Sequence, residues 1–127
     1  MRVGRTEVDL SPLFANNSLV LCKLETEAEY ESYLYFAEQL DDGEAEALAL
    51  GFSRGWVVAT DDKKAVRLAK EHGINTISTI QIILQWAKMN RIGKKELQEI
   101  MISVQHLASF IPSPSSFGYD EWVRYGM

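Results

Sequence analysis

Apolar residues in the middle of the chain recur either at helical spacing or in short unbroken runs. A stripe that repeats every three to four residues predicts a helix over residues 43–53, with the buried face Ala45, Leu48, Ala49 and Phe52. Residues 56–60 form an apolar, β-branched run that is typical of a strand covered on both faces. A second amphipathic helix follows Asp62 and ends at Gly73, and residues 74–77 predict another strand. This alternation with short connections predicts an α/β fold built on a parallel sheet.

Polar side chains follow both predicted strands, at 60–62 and at 78–79. Because ligands of open α/β sheets bind beyond the carboxyl ends of the strands, these side chains are expected at the rim of a crevice. The acidic opening of the first helix, residues 41–46, could converge there with the acids at 61 and 62 on one hard cation. Magnesium and manganese prefer such oxygen ligands, so the pattern predicts metal-dependent chemistry on phosphates.

Helix capping is a second interpretation of the same carboxylates. Asp62 is a good N-cap for the helix that follows it, and Asp41 with Glu44 three residues later has the spacing of a capping box. The pattern leaves both interpretations open, and one carboxylate can serve both purposes.

The N-terminal part predicts one more strand and a helix with an extensive apolar surface. Residues 19–24 are an apolar run typical of a strand, and Thr26 with Glu29 makes a capping box for a helix over about 27–40. That helix carries Tyr30, Tyr33, Leu34, Tyr35 and Phe36. Because these side chains spread over more than one side, they belong either to the core or to an interface. We predict a homodimer or a larger assembly.

The remaining segments complete a single predicted domain, residues 1–127. Ser78 with Gln81 caps a further helix, and an apolar stripe predicts another helix that ends at about Ala108. Residues 1–17 are expected to be irregular, and residues 109–127 to form a C-terminal loop with a short helix.

Composition agrees with one cytoplasmic domain. At 127 residues the chain can bury about two thirds of its unfolded surface. No run approaches the roughly 18 apolar residues of a membrane span, so no membrane partner is expected. Cys22 is the only cysteine, which excludes a disulfide scaffold.

The net charge of −5 argues against a general nucleic-acid binder, but the charges are unevenly distributed. Residues 1–46 hold eleven acidic side chains against three basic ones, whereas residues 47–127 hold ten basic against seven acidic. Eight of those ten lie in two clusters: Lys63, Lys64, Arg67, Lys70, Lys88, Arg91, Lys94 and Lys95. These clusters either contact RNA phosphates or form solvated helix faces.

Residues 40–50, from Leu40-Asp41-Asp42-Gly43-Glu44 onward, together with 55–65 and 73–74, resemble the C-terminal half of PIN domains. The resemblance covers about Ser18 to Asn90. It implies a PIN-like three-layer α/β fold, with a short parallel sheet flanked by helices. Many PIN domains are magnesium- or manganese-dependent ribonucleases, including toxins of toxin–antitoxin pairs. RNA and an antitoxin-like protein are therefore the implied partners, and magnesium or manganese the implied cofactor.

The resemblance assigns roles to residues of the acidic stretch. Glu44 matches the acidic residue that opens the helix before the last catalytic strand. Asp62 matches the acid just past that strand, with Asp61 beside it, so all three are the implied catalytic and metal-binding residues. Lys63, Lys64 and Arg67 follow directly and are the expected nucleic-acid contacts.

The chain departs from the family pattern at its N-terminal side. A full PIN domain begins with a strand ending in an essential Asp and takes a second acid from a later helix. Only forty-three residues precede Glu44, and Asp9, in Asp-x-Ser-Pro-Leu context, is too close to fill the first position. We therefore expect an N-terminally truncated or natural half-domain with an incomplete site that binds metal weakly and has weak or no activity. The alternative is a noncatalytic module for protein interaction or self-association.

Overall fold

The computed structural model describes residues 2–3, 6–7, 9–107, 114 and 119–124. Within them the protein is mixed α/β and mainly helical. In chain order the elements are β1 (Arg2–Val3), β2 (Thr6–Glu7), α1 (Ser11–Ala15), α2 (Glu27–Ala37), α3 (Asp42–Arg54), β3 (Val58–Ala59), α4 (Lys63–Glu71), β4 (Thr76–Ile77), α5 (Thr79–Met89), α6 (Lys94–Leu107) and α7 (Tyr119–Arg124). They divide into two compact units, one of residues 23–83 and one of residues 1–22 with 84–127. The prediction of a single domain stays a prediction.

The unit of residues 23–83 contains the predicted parallel strands. β3 pairs with β4 in parallel, Val58 opposite Thr76 and Ala59 opposite Ile77. Each strand has only two residues, fewer than the runs 56–60 and 74–77 predicted. The expected cover on both faces is wrong, because Val58 is buried but Ala59, the next residue of β3, is exposed. Successive strand residues face opposite sides, so only the side of Val58 joins the core.

The core of this unit lies where α2, α3 and α4 meet the strand β3. Its buried residues are Phe36, Leu40, Ala45, Leu48, Ala49, Val58, Ala65, Leu68, Ala69 and Ile74. The stripe predicted for α3 is confirmed except for Phe52, which is 52% exposed. Phe52 lies in the last turn of α3, beyond the buried positions of that helix.

Gly51 allows α3 to approach the strand closely. A Cβ atom at this position would lie 2.5 Å from Cγ2 of Val58 and 3.2 Å from both Cγ2 of Ile74 and the backbone oxygen of Trp56. Contacts this short show that only a residue without a side chain fits between the helix and the strand. The contact fixes the position of α3 relative to β3.

Helix ends follow the capping chemistry of the sequence. The Thr26 side chain accepts from the backbone N–H of Glu29, whose side chain accepts from Thr26 in return, and Ser78 with Gln81 makes the same exchange. α3 ends at Gly55 with φ 68°, and Gly73 takes φ 70° after α4. Both glycines adopt the left-handed conformation that other residues rarely take. The capping boxes predicted at Thr26 and Ser78 are confirmed.

An ion pair between buried Glu29 and half-buried Arg54 joins the start of α2 to the end of α3. Nε of Arg54 donates to Oε2 of Glu29 at 2.8 Å, and its Nη2 donates to the Lys23 backbone oxygen at 2.9 Å. The guanidinium lies 4.8 Å from the centre of the Trp56 ring. The hydrogen bond from Arg54, followed by one from the backbone of Glu25, lowers the pKa of Glu29 to about 2 against the opposing effect of burial.

The segment before α2 contradicts the predicted strand at 19–24. Residues 20–25 have neither helical nor strand conformation, and Val20 and Leu21 are 69% and 76% exposed. An apolar run forms a strand only where another strand is available to pair with it. Among the described residues this segment pairs with none.

The other unit combines a short antiparallel pair with helices. β1 pairs with β2, and the buried side chains include Leu84, Ala87, Leu97, Met101 and Trp122. Lys88 of α5 forms an ion pair with Glu121 of α7 at 3.1 Å. Most of the predicted C-terminal loop lies outside the described residues. No helix in the described ranges is both long and apolar enough to cross a membrane.

Candidate acidic site

The carboxyl ends of β3 and β4 lie side by side, as the parallel pairing requires. The backbone N–H of Thr60 donates to the Ile77 oxygen at 3.0 Å, just past the paired residues. Thr60, Asp61 and Asp62 therefore leave the sheet at the same edge as Ser78 and Thr79. The prediction that these residues share a rim is confirmed.

Asp61 connects the two strand ends directly. Its Oδ1 accepts from the backbone N–H of Thr79 at 2.9 Å, and its Oδ2 accepts from the Thr79 hydroxyl. The side chain thus satisfies an N–H group at the start of α5, eighteen residues away in sequence. The carboxylate of Asp61 thus has a structural role, whereas its predicted part in catalysis and metal binding stays a prediction.

Asp62 is the N-cap of α4. Its Oδ2 accepts from the backbone N–H of Ala65 at 3.0 Å, and its own N–H donates to the Thr60 hydroxyl at 3.2 Å. The predicted cap is confirmed, and a carboxylate here is also stabilised by the positive end of the helix dipole.

Glu44 lies in a shallow cavity of about 140 Å³ between α3, β3 and α4. The cavity is lined by Gly43, Glu44, Ala47, Leu48, Val58, Ala59, Thr60 and Ala65. Asp41 caps α3 from one side by accepting from the backbone N–H of Glu44 at 2.9 Å. Within the described part of the chain, no group donates a hydrogen bond to the carboxylate of Glu44 itself.

The electrostatics of this cavity connect Glu44 to Asp62. Burial raises the pKa of Glu44, and the negative charges of Asp62 and Asp41 raise it further. Glu44 lines the cavity on α3, and Asp62 caps α4, whose Ala65 lines it as well. The two acids thus belong to helices that border the same cavity, although eighteen positions separate them in sequence.

The arrangement is nevertheless sparse as a metal centre. In the regions that the structure describes, no three His, Cys, Asp or Glu side chains are grouped so that they could hold a metal ion. Two neighbouring carboxylates can share a proton or bind a hydrated cation that takes its remaining ligands from water and phosphate. The residues present fit a weakly held divalent ion better than a fully protein-ligated one.

The basic side chains beside the cavity are exposed. Lys63 and Lys64 lie in the first turn of α4, directly after Asp62, and Arg67 lies one turn further along. None of the three has an ion-pair partner among the residues described. Cations in the first turn interact unfavourably with the helix dipole, and only the cap Asp62 offsets that cost.

The sequence of the chain matches that of a known protein family. A family model described as PIN domain covers residues 9–114. The chain belongs to the PIN domain family. No curated protein and no solved structure matches it. The matched region of this PIN domain includes Glu44, Asp61 and Asp62 and begins at Asp9, upstream of Ser18 where the resemblance was expected to begin.

Asp9 of the PIN domain lies just before α1. Its Oδ1 accepts from the backbone N–H of Ser11 at 2.9 Å. Hydrogen bonds from the Ser11 side chain and then from its backbone lower the pKa of Asp9. The structure thus gives Asp9 a local role at the start of α1.

A second cavity of the PIN domain went unpredicted. It measures about 290 Å³ and is lined by Glu31, Ser32, Tyr35, Phe36, Phe52 and His72, and we call it the aromatic groove. The sequence pattern placed Phe52 in a buried stripe and assigned no role to His72. No local pattern could have joined them, because the groove combines α2, α3 and the end of α4.

Proposed function

We propose that this PIN domain derives from metal-dependent endoribonucleases and retains part of their acidic site, with weak or no activity. Glu44 and Asp62 would bind magnesium or manganese, with RNA as the substrate class. Asp61 is the third proposed carboxylate, since each of its oxygens accepts one hydrogen from Thr79 and keeps a further lone pair. Bound metal would supply Lewis-acid stabilisation of a phosphate and activation of water.

One observation carries the proposal: Glu44 lines a cavity at the carboxyl end of parallel strands together with Thr60 and Ala65, the residues that flank Asp61 and Asp62 along the chain. The negative charge of Asp62, which raises the pKa of Glu44, supports it. Like charges held together without an ionic partner are unfavourable, and a divalent cation removes that repulsion. The cavity lies where α/β folds usually bind their ligands.

The basic side chains support RNA as the substrate class. Lys63, Lys64 and Arg67 are exposed next to Asp62, so a nucleic-acid strand contacting them would pass the acidic cavity. Most nonspecific affinity for nucleic acids comes from Lys and Arg side chains that neutralise the phosphate charges. A cytoplasmic protein would meet RNA and an antitoxin-like partner in the same compartment.

The metal site is tested by calorimetric titration of Mn²⁺. We expect Glu44→Gln and Asp62→Asn each to weaken binding by roughly ten-fold or more, as loss of a carboxylate near a metal does. Asn is itself a good N-cap, so Asp62→Asn keeps the start of α4 intact. Glu96→Gln, an exposed acid in the first turn of α6, is the matched control and should leave binding unchanged. Equal affinity of the wild type and all three variants for Mn²⁺ would refute the proposed site.

RNA contact is tested by the anisotropy of a labelled single-stranded RNA at several salt concentrations. Replacing Lys63, Lys64 and Arg67 together by Gln should reduce the slope of log affinity against log salt by about two, at roughly 0.7 per phosphate contact. An unchanged slope would remove these residues from the interface. Clear Mg²⁺-dependent cleavage of the RNA, abolished in Asp62→Asn, would show more activity than proposed.

The second candidate is a noncatalytic interaction module, and the outer surface of α2 favours it. Tyr30, Leu34 and Tyr35 are 52%, 64% and 48% exposed, whereas Phe36 on the same helix is buried. The apolar side chains of α2 thus divide between the core and an open surface suited to self-association. If this surface joins two copies, light scattering should give a dimer that Leu34→Glu converts to a monomer. A wild-type monomer at micromolar concentration would contradict the module as a self-associating one.

A further inference from the structure

The aromatic groove surrounds the imidazole of His72 with three rings. The ring centres of Tyr35 and Phe36 lie 5.3 and 5.4 Å from that of His72, and Phe52 lies at 6.3 Å, all edge to face. The Tyr35 hydroxyl and Nε2 of His72 are 3.3 Å apart, within hydrogen-bond distance. Phe36 is buried and forms the floor, whereas Tyr35 and Phe52 are 48% and 52% exposed. The two outer rings therefore present open surface to whatever enters.

The groove is large enough for a long side chain. Its volume of about 290 Å³ corresponds to roughly ten water molecules at about 30 Å³ each. Glu31 and Ser32 line it on the side of α2. Aromatic faces beside a carboxylate are the combination that binds cations, through the ring quadrupole and through charge pairing.

The surrounding charge selects the same kind of occupant. Residues 25–38, which include α2, contain five acidic side chains and no basic one. Glu29 and Glu25 pair with Arg54, but Glu31 has no ion-pair partner in the described part of the chain. Such a surface attracts cations and repels phosphate groups.

Two helix ends add to this preference. Phe52 lies in the last turn of α3, and His72 is the C-cap of α4, so both helices direct the negative ends of their dipoles toward this region. Lys70 and Glu71, both exposed at the end of α4, carry opposite charges. The net effect at the groove is negative.

We propose that the aromatic groove binds an arginine side chain from a basic segment of a partner protein. The planar guanidinium stacks on the exposed Tyr35 and Phe52 rings while its N–H groups reach the Glu31 carboxylate. This site shares no lining residue with the acidic cavity of Glu44, so it is independent of the proposed nuclease ancestry.

The test uses two fluorescein-labelled peptides that differ in one residue. One has a single arginine flanked by alanines, and the other has citrulline, which keeps the shape and loses the charge. Each peptide is titrated with the full chain at low salt. The arginine peptide should bind roughly five-fold more tightly than the citrulline peptide, because one partly exposed cation–π contact and one ion pair contribute about that much. Equal binding of the two peptides would overturn the proposal.

Three variants locate the binding. Glu31→Gln and Phe52→Leu should each weaken binding of the arginine peptide by roughly two- to five-fold. Glu38→Gln removes the same charge from the exposed end of α2 outside the groove and should change affinity less than two-fold, the matched control. Circular dichroism checks that each variant folds; both Glu31 and Phe52 are exposed, so the core is preserved.

Two further results would reject the site. If Glu38→Gln weakens binding of the arginine peptide as much as Glu31→Gln does, the overall negative charge of α2 binds the cation, and the groove does not. If labelled single-stranded RNA binds the wild type, binds Phe52→Leu more weakly and binds Glu31→Gln more tightly, the rings stack on bases and the occupant is RNA. The proposal is supported if the wild type binds the arginine peptide more tightly than the citrulline peptide, and if only Glu31→Gln and Phe52→Leu weaken that binding.

Discussion

Replacing Gly51 by alanine tests how tightly α3 packs against the strand that leads to the acidic cavity. The added methyl group would lie 2.5 Å from Cγ2 of Val58, so either the helix or the strand must move. A second neighbour is the backbone oxygen of Trp56 at 3.2 Å, which cannot rotate away as a side chain can. The strain is therefore not relieved by a simple change of rotamer.

Two opposing free energies set the size of the effect. Alanine within a helix is favoured over glycine by about 1 kcal/mol. Overpacking a close-packed contact costs about 1–3 kcal/mol, and the fixed backbone neighbour places this site in the upper half of that range. We expect Gly51→Ala to lower the free energy of unfolding by about 1–2 kcal/mol, or the melting temperature by about 4–8 °C for a chain of this length.

Gly43→Ala is the matched control in the same helix. A Cβ atom there would meet only Oδ1 of Asp41, at 3.8 Å, which is ordinary contact. We expect this variant to be more stable than the wild type by about 0.5 kcal/mol, because the helix preference acts without strain. Urea denaturation followed by circular dichroism at 222 nm gives both values. If the free energy of unfolding of Gly51→Ala equals or exceeds that of the wild type, the described close packing of α3 on β3 is wrong.

Two other predictions concern the polar contacts of the same unit. Glu29 has a pKa lowered to about 2 by Arg54, so its stabilising effect is present above the ordinary value of 4.5 and is lost as pH falls from there toward 2. The stability gap between the wild type and Arg54→Met should therefore be widest at pH 7 and narrow over that window in urea titrations; a gap independent of pH would contradict this. Thr79→Val removes the hydroxyl that donates to Asp61 and should cost about 1 kcal/mol in the same assay, whereas no loss would show that the contact is unimportant.

The sequence predicted best what neighbouring residues decide among themselves. The caps at Thr26, Asp41, Asp62 and Ser78 each depend on a side chain and a backbone N–H group three residues later. Helix positions followed from these caps and from the spacing of apolar residues. The parallel direction of the strands also followed, because a helix separates them.

Features that depend on distant parts of the chain were predicted poorly. The run at 19–24 has strand composition but lacks a pairing partner, and residues 56–60 shorten to a two-residue strand. Phe52 continues the spacing of the buried stripe yet lies at the end of α3, where it borders the aromatic groove. Periodicity gives the direction of a side chain around a helix but not whether another element covers it.

The candidate site was predicted in part. Asp61 and Asp62 were placed correctly at a strand end, whereas their convergence with Glu44 and the roles of all three in binding and catalysis stay predictions. The link between Asp61 and Thr79, the Glu29–Arg54 pair and the aromatic groove each join elements whose residues are at least sixteen positions apart. Such pairings require the folded structure.

The capping role of two aspartates affects how this lineage can diverge. Asp41 and Asp62 hold the first turns of two helices, so selection for a stable fold alone keeps capping residues there even after a reaction is abandoned. Glu44 is different, because its carboxylate caps nothing and its burial beside like charges is a standing cost. In relatives that lack catalytic activity, a neutral residue should replace the acid at position 44 more often than the acids at positions 41 and 62.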